Sequence, residues 1–95
     1  MVEKLNKQGI IPGIKVDKGL KPLVGALHHE TYCSGLDGLT ERAQEYYKQG
    51  ARFAKWRAVL QITNDGCPSK LSIQENAWGL ARYARSVQEL SLIHI

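Results

Sequence analysis

Cysteine is scarce in this sequence: Cys33 and Cys67 are the only two, and no Cys-x-x-Cys spacing occurs. A disulfide framework or a zinc ribbon needs more, so the usage fits a reducing compartment. No apolar run reaches membrane-spanning length, so no membrane partner is expected. Charge of one sign is never massed. The 13 Lys and Arg that leave a net charge of +4 are scattered, without the basic block interleaved with aromatics that a nucleic-acid arm carries. No nucleic-acid partner is expected either. Met1 to Gln8 has no apolar signal-peptide core and is not a Ser/Arg-rich transit peptide, so any targeting segment of the whole protein is expected upstream. What remains is ordinary globular composition, 43% hydrophobic and 23% charged, in 95 residues, a length that leaves little stability to spare.

Local patterns predict the order helix, strand, long loop, helix, strand, loop, helix. Val2 to Gln8 reads as the tail of a helix, ended by Gly9 as a left-handed cap. Ile10 to Val16 is apolar and β-branched enough for a buried strand, with Pro12 at its start or at an irregularity. Asp17 to Gly38, with four glycines and one proline, reads mostly as loop. Leu36, Leu39, Ala43 and Tyr46 then follow helical spacing until Gly50, and Phe53 to Leu60 reads as the second strand. Asn64-Asp65-Gly66 and Pro68 are turn chemistry. The last helix carries Ile73, Ala77, Leu80, Ala84 and Val87 on one expected face, and Ser72 with Glu75 is its expected capping box. Strands alternating with helices, each nearly continuous in apolar residues, indicate parallel βαβ units covered on both faces. Two such strands leave two unpaired edges, so the chain reads as an interior slice of a larger α/β protein.

Alternation along the two strands places charge on one face of each. Gly13, Lys15 and Asp17 face one way and Ile14 and Val16 the other; Phe53, Lys55, Arg57 and Val59 oppose Ala54, Trp56 and Ala58. Charge on a sheet costs several kcal/mol unless it is paired or used. In barrels and open α/β sheets the C-terminal strand ends are where ligands bind. Three cations and a carboxylate converging there suit an anionic, phosphorylated substrate, and crowded cations are a usual setting for proton transfer or Schiff-base chemistry. The alternative is that Lys15 and Asp17 simply pair, with Lys55 and Arg57 on a solvated edge.

At these residues the chain resembles class I fructose-bisphosphate aldolase. Gly13-Ile14-Lys15-Val16-Asp17-Lys18-Gly19 is similar to that family's third barrel strand, and Gly35-Leu36-Asp37-Gly38-Leu39 with Glu41-Arg42 to the start of the next helix. Phe53-Ala54-Lys55-Trp56-Arg57-Ala58-Val59 resembles its fourth strand, and Gln74-Glu75-Asn76-Ala77 through Ala81-Arg82-Tyr83-Ala84 the helix after it. The resemblance runs in order from about Gln8 to Leu90. It implies a partial TIM (β/α)8 barrel, two parallel strands and about three helices over residues 1–89. It also implies reversible cleavage of fructose 1,6-bisphosphate to dihydroxyacetone phosphate and glyceraldehyde 3-phosphate, a lyase reaction of glycolysis, gluconeogenesis or the Calvin cycle, with no cofactor and no metal. Carried over residue by residue, it implies a catalytic role for Lys55 in proton transfer beside the Schiff base and for Asp17 in orienting the lysines. Lys15, Lys55 and Arg57 are its implied substrate-binding residues, facing the sugar bisphosphate.

The family's Schiff-base lysine, acid pair, first-strand aspartate and C-terminal tyrosine have no match in these residues, so the chain alone is expected to be inactive. The resemblance further implies a homotetrameric full-length protein. Gln49-Gly50-Ala51-Arg52 and Ala77-Trp78-Gly79-Leu80 look nearer to plastid aldolases, so the expected place is the cytoplasm or the chloroplast stroma. Leu90-Ser91-Leu92-Ile93-His94-Ile95 matches the translation of a common transposon-end sequencing adapter; residues 90–95 are set aside as an adapter-derived tail, the alternative being the start of the next strand.

His28-His29 lacks a third ligand at metal spacing and reads as a solvated loop pair. Cys33 and Cys67 read as a loop thiol and a helix-entry thiol, and Tyr46, Tyr47, Trp78 and Tyr83 as packing between helix and sheet. Two other functions fit the spacing alone: a different phosphate-binding barrel enzyme with Lys15 or Lys55 as its own Schiff-base lysine, and a non-catalytic βα module that docks on a partner.

Overall fold

The computed structural model describes residues 1–89 and the backbone of Ile93–His94. Helix α1 (Val2–Lys7) buries nothing and stops where Gly9 takes φ 73°, the left-handed cap expected there. Strand β1 (Gly13–Lys15) and strand β4 (Phe53–Lys55) then pair in parallel, Gly13 against Phe53, Ile14 against Ala54 and Lys15 against Lys55. Each is shorter than its apolar run. Pro12 has no N–H to extend the first strand, although its carbonyl accepts from Arg52 at 2.9 Å. At the other end the ladder closes with Val16 donating to the Lys55 carbonyl at 3.0 Å; the first strand then turns away, and residues 56–60 have no strand partner among the described residues.

The stretch expected to be loop holds a second sheet. Strands β2 (Leu20–Pro22) and β3 (Thr31–Cys33) pair antiparallel, so Cys33 lies on a strand and is buried. Backbone bonds hold the base of this hairpin, Lys18 to the Ser34 carbonyl at 2.9 Å and Ser34 to the Gly19 carbonyl at 2.8 Å. The far end closes through Leu23 and the Glu30 carbonyl at 3.0 Å.

Helix α2 (Leu39–Lys48) buries Leu39 and Ala43 as its spacing predicts, and Gly50 ends it at φ 109°. Tyr46 packs at the core's edge, but Tyr47 lies at the surface, where the Arg52 guanidinium stands 3.8 Å above its ring.

Helix α3 (Lys70–Gln88) corrects the expected pattern twice. Its cap is Ser69, whose hydroxyl accepts the Ser72 N–H at 3.1 Å; Ser72 itself is buried and forms no box with Glu75. Its buried face is Ser72, Asn76, Tyr83 and Val87 with Ala84 packed beside it, so Ala84 and Val87 turn inward as expected. Ile73 and Leu80, by contrast, are 46% and 39% exposed and Trp78 is 68% exposed. Two stripes with helical spacing compete on this helix, and hydrogen bonds decide between them. Asn76 donates to the Thr31 and Ser72 carbonyls at 3.1 and 2.8 Å, and Tyr83 to the Ala54 carbonyl at 2.9 Å. The Ile73 stripe offers no such donors.

Val16, Leu39, Ala43, Ala54, Trp56, Tyr83 and Val87 form one core between the parallel pair and the helices α2 and α3. Trp56 stacks on Tyr83 with ring centroids 5.2 Å apart. The other face of β1 and β4 carries no helix among the described residues. The molecule is accordingly elongated, 51 × 24 × 16 Å, with a radius of gyration of 15.6 Å, against about 13 Å for a compact domain of this size. Its surface of 6588 Å² exceeds the roughly 5,500 Å² of a compact monomer of its mass.

Of the tail set aside at 90–95, only the backbone of β5 (Ile93–His94) is described, running parallel to β4 with Phe53 against Ile93 and Ala54 against His94. Residues 90–92 and 95, and with them the adapter assignment, lie outside the described residues.

Candidate active site

The uncovered face of the parallel pair is built in steps from the strand register. Lowest is Gly13 beside Phe53: a side chain on Gly13 would collide with the Phe53 ring, so the missing Cβ lets the ring lie there as an apolar floor. Next come Lys15 and Lys55, register partners whose Cα atoms are roughly 4.8 Å apart across a parallel pair. Of the intervening residues, Val16, Ala54 and Trp56 are buried in the core and at most 6% exposed, and Ile14 packs against it partly buried. The alternation expected for both strands therefore holds over the residues that pair.

Asp17 and Lys15 form an ion pair of unequal exposure. The ammonium Nζ lies 2.8 Å from Asp17 Oδ1, with side-chain exposures of 54% for the lysine and 1% for the aspartate. Nζ also donates to the Asp17 carbonyl at 3.2 Å, and Oδ1 accepts the Gly19 N–H at 3.0 Å. Burial pushes the Asp17 pKa up, but Lys15, the Gly19 N–H and the nearby Cys33 thiol outweigh it and hold the carboxyl below its ordinary value. No hydrogen bond of good geometry reaches Oδ2. The Cys33 thiol shifts the other way, raised by burial and then by the Asp17 charge. Pairing of Lys15 with Asp17 is thus present, and among the described residues Asp17 makes no ion pair with Lys55 or Arg57.

Lys55 and Arg57 are exposed, and no hydrogen bond or ion pair engages either side chain among the described residues. Arg57 stands past the end of β4, two residues beyond Lys55. The site therefore presents one pre-paired cation and two uncommitted ones, a set that can receive phosphate oxygens without first breaking an internal bond.

Two charged residues have structural duties that the sequence pattern does not disclose. Arg42, on α2, sends Nη2 to the carbonyls of Val16 (3.3 Å) and Gly35, while its buried Nε has no partner among the described residues. Glu30, on the hairpin, accepts from the Leu27 N–H at 3.1 Å, the Ser69 N–H at 2.9 Å and the Ser69 hydroxyl at 2.6 Å. The Ser69 hydroxyl and then its N–H hold the Glu30 carboxyl below its ordinary pKa. Helix α3 is thereby tied at its first turn to the hairpin.

His28 pairs with Asp65, Nε2 to Oδ2 at 2.9 Å, linking two exposed loops. Among the described residues no three His, Cys, Asp or Glu side chains gather as metal ligands. A cleft of about 370 Å³ opens between hairpin and α3, with Trp56 in its wall and Lys18 and Arg82 at its rim; that wall puts it on the core side, away from Lys15 and Lys55. No helix among the described residues is long and apolar enough to cross a membrane.

Comparison with known proteins relates the chain to a family. A family model described as glycolytic, class-I fructose-bisphosphate aldolase, matches residues 1–95. The sequence is 58% identical over 95 residues to chloroplastic fructose-bisphosphate aldolase 2 of Arabidopsis thaliana, covering 100% of this chain and 23% of that protein. It is 62% identical over 94 residues to cytosolic fructose-bisphosphate aldolase 5 of the same plant, covering 99% and 26%. The fold superposes on a fructose-bisphosphate aldolase from Plasmodium falciparum, solved with TRAP and a small-molecule inhibitor, with a TM-score of 0.94 and 55% identity over 98% of this chain and 27% of that one. The chain spans about a quarter of the length of the curated relatives it matches.

Proposed function

The chain belongs to the class-I fructose-bisphosphate aldolase family, and from that premise we propose that the whole protein reversibly cleaves fructose 1,6-bisphosphate into dihydroxyacetone phosphate and glyceraldehyde 3-phosphate. In this reading residues 1–89 form strands three and four of a (β/α)8 barrel with their helices, and the uncovered face of β1 and β4 turns toward the barrel lumen. The observation that carries it is the registered pair Lys15 and Lys55 above the Phe53 floor, opposite the Trp56–Tyr83 core.

The division of labour follows from the contacts. Lys15, Lys55 and Arg57 form the cationic field that receives the sugar bisphosphate. Lys55 is anchored on a strand yet uncommitted, so its ammonium moves the protons that carbinolamine formation and breakdown need beside the Schiff base. Asp17, buried and ionised, fixes Lys15 at 2.8 Å. The Schiff-base nucleophile and the acid pair come from strands other than β1 and β4, and the chemistry takes no metal or other cofactor.

The reading also extends to assembly and place: the whole protein works as a homotetramer in the cytoplasm or the chloroplast stroma. Relatives of both compartments share more than half of the residues, which supports the pair without choosing between them.

Borohydride trapping of the full-length protein with dihydroxyacetone phosphate tests the assignment. The expected adduct lies outside residues 1–95. An adduct on Lys15 or Lys55 would instead favour a different Schiff-base barrel enzyme, and no cleavage of the sugar bisphosphate would defeat the reading.

A further inference from the structure

We infer that Arg42 is a positioning residue for the phosphate-binding cation Lys15, acting across the sheet from the outer helix. The inference rests on the aldolase reading for what Lys15 does; the clamp itself rests on geometry.

Arg42 rises from the first turn of α2, on the core side of the sheet, and its Nη2 donates to two carbonyls distant in sequence. One is that of Val16, where the first strand ends. The other is that of Gly35, where the chain returns from the hairpin. The Val16 carbonyl belongs to the peptide that leads into Asp17, and Asp17 holds the Lys15 ammonium at 2.8 Å. One guanidinium therefore pins the peptide from which the Lys15 carboxylate partner springs.

The surroundings are shaped for this clamp. Gly35, at φ 120°, lies so close to the departing strand that a Cβ there would stand 2.9 Å from the Lys18 nitrogen and 3.4 Å from Asp17 Cα. Only glycine lets the two backbones meet within reach of one arginine. Lys18 and Ser34 cross-link the same backbones immediately beyond. The arginine gives up hydrogen bonding to do this, since its buried Nε finds no partner among the described residues. Both bonds leave from one nitrogen, Nη2, at the far end of the guanidinium, and a lysine, whose stem is one bond shorter, does not place its ammonium between the two carbonyls. The consequence is directional control. Lys15 is half exposed and would sample many rotamers, but its carboxylate anchor is held on both the strand side and the return side.

The test is a double-mutant cycle in the full-length enzyme, reading kcat/KM for fructose 1,6-bisphosphate on folded, assembled protein. Arg42→Lys is expected to lower kcat/KM on the order of tenfold or more, in keeping with the loss that about 1 Å of misplacement brings. In a Lys15→Met background the same substitution should change kcat/KM less than twofold, because the group it positions is gone. Gly35→Ala loosens the clamp from the other side and should behave alike. Equal losses in both backgrounds would mean a general structural role, and an unchanged kcat/KM for Arg42→Lys in the wild-type background would overturn the inference. If Lys15→Met alone leaves kcat/KM unchanged, it is the reading of Lys15 that fails, and the inference, which rests on it, falls with it.

Discussion

The Tyr83 hydroxyl donates to the carbonyl of Ala54 at 2.9 Å while its ring stacks on Trp56 at 5.2 Å. Ala54 immediately precedes Lys55, so α3 holds the back of the strand whose front carries the uncommitted lysine. Tyr83→Phe keeps the stack and removes the bond, leaving a buried carbonyl under-satisfied. The full-length protein should lose about 1 kcal/mol in urea unfolding.

Lys55→Met in the full-length enzyme should separate binding from chemistry. Arg57 and Lys15 still hold the anionic substrate, so KM should move little while kcat falls on the order of 100-fold or more, the range for a lost proton-transfer group. Steady-state kinetics read both, and a kcat within twofold of wild type removes Lys55 from its assigned role.

Asp17 makes stability depend on acid in a defined direction. Its folded pKa lies below the unfolded value near 4, so the native state binds fewer protons there. The contribution is complete above about pH 5 and disappears as the pH falls through the folded value. Asp17→Asn should therefore be less stable than wild type by a constant gap from pH 5 to 7, closing below pH 4. Denaturant melts across that range read it, and a gap independent of pH would contradict the assignment.

Ser69 is both the cap of α3 and a donor to Glu30. Ser69→Ala should cost about 1 kcal/mol, as lost caps do. Introduced after Glu30→Gln it should cost less, because the two share a hydrogen bond. Additive losses in the cycle would show that the hairpin and the helix are not coupled there.

Residues 1–95 expressed alone should melt broadly, without a sharp thermal transition, and bind a hydrophobic dye. One face of the parallel pair is uncovered, and Ile62, Trp78 and Val24 are 85%, 68% and 92% exposed. A single steep transition by circular dichroism would refute this.

How far the sequence could be read depended on where the partners lie. Alternation disclosed which way Lys15 and Lys55 face, because a period of two survives even in strands of three residues. It overran the strand ends, since pairing stops when the neighbour turns away. On α3, apolar spacing pointed to Ile73 and Trp78. The buried stripe instead holds Ser72 and Asn76, polar side chains that look solvated until their carbonyl partners are known. The hairpin shows no alternation and is dense in turn formers. Nothing in the sequence marks Glu30, whose partner Ser69 lies 39 positions away, or tells that Arg42, part of the family resemblance alone, reaches the Val16 carbonyl 26 positions away.

Gly13 and Phe53 divide a single volume between two positions on adjacent strands. Any enlargement at 13 must be matched by a smaller group at 53, and the swap would tilt or lower the apolar floor beside Lys15 and Lys55. The height of that floor could thus be reset with every ionisable group of the face left in place.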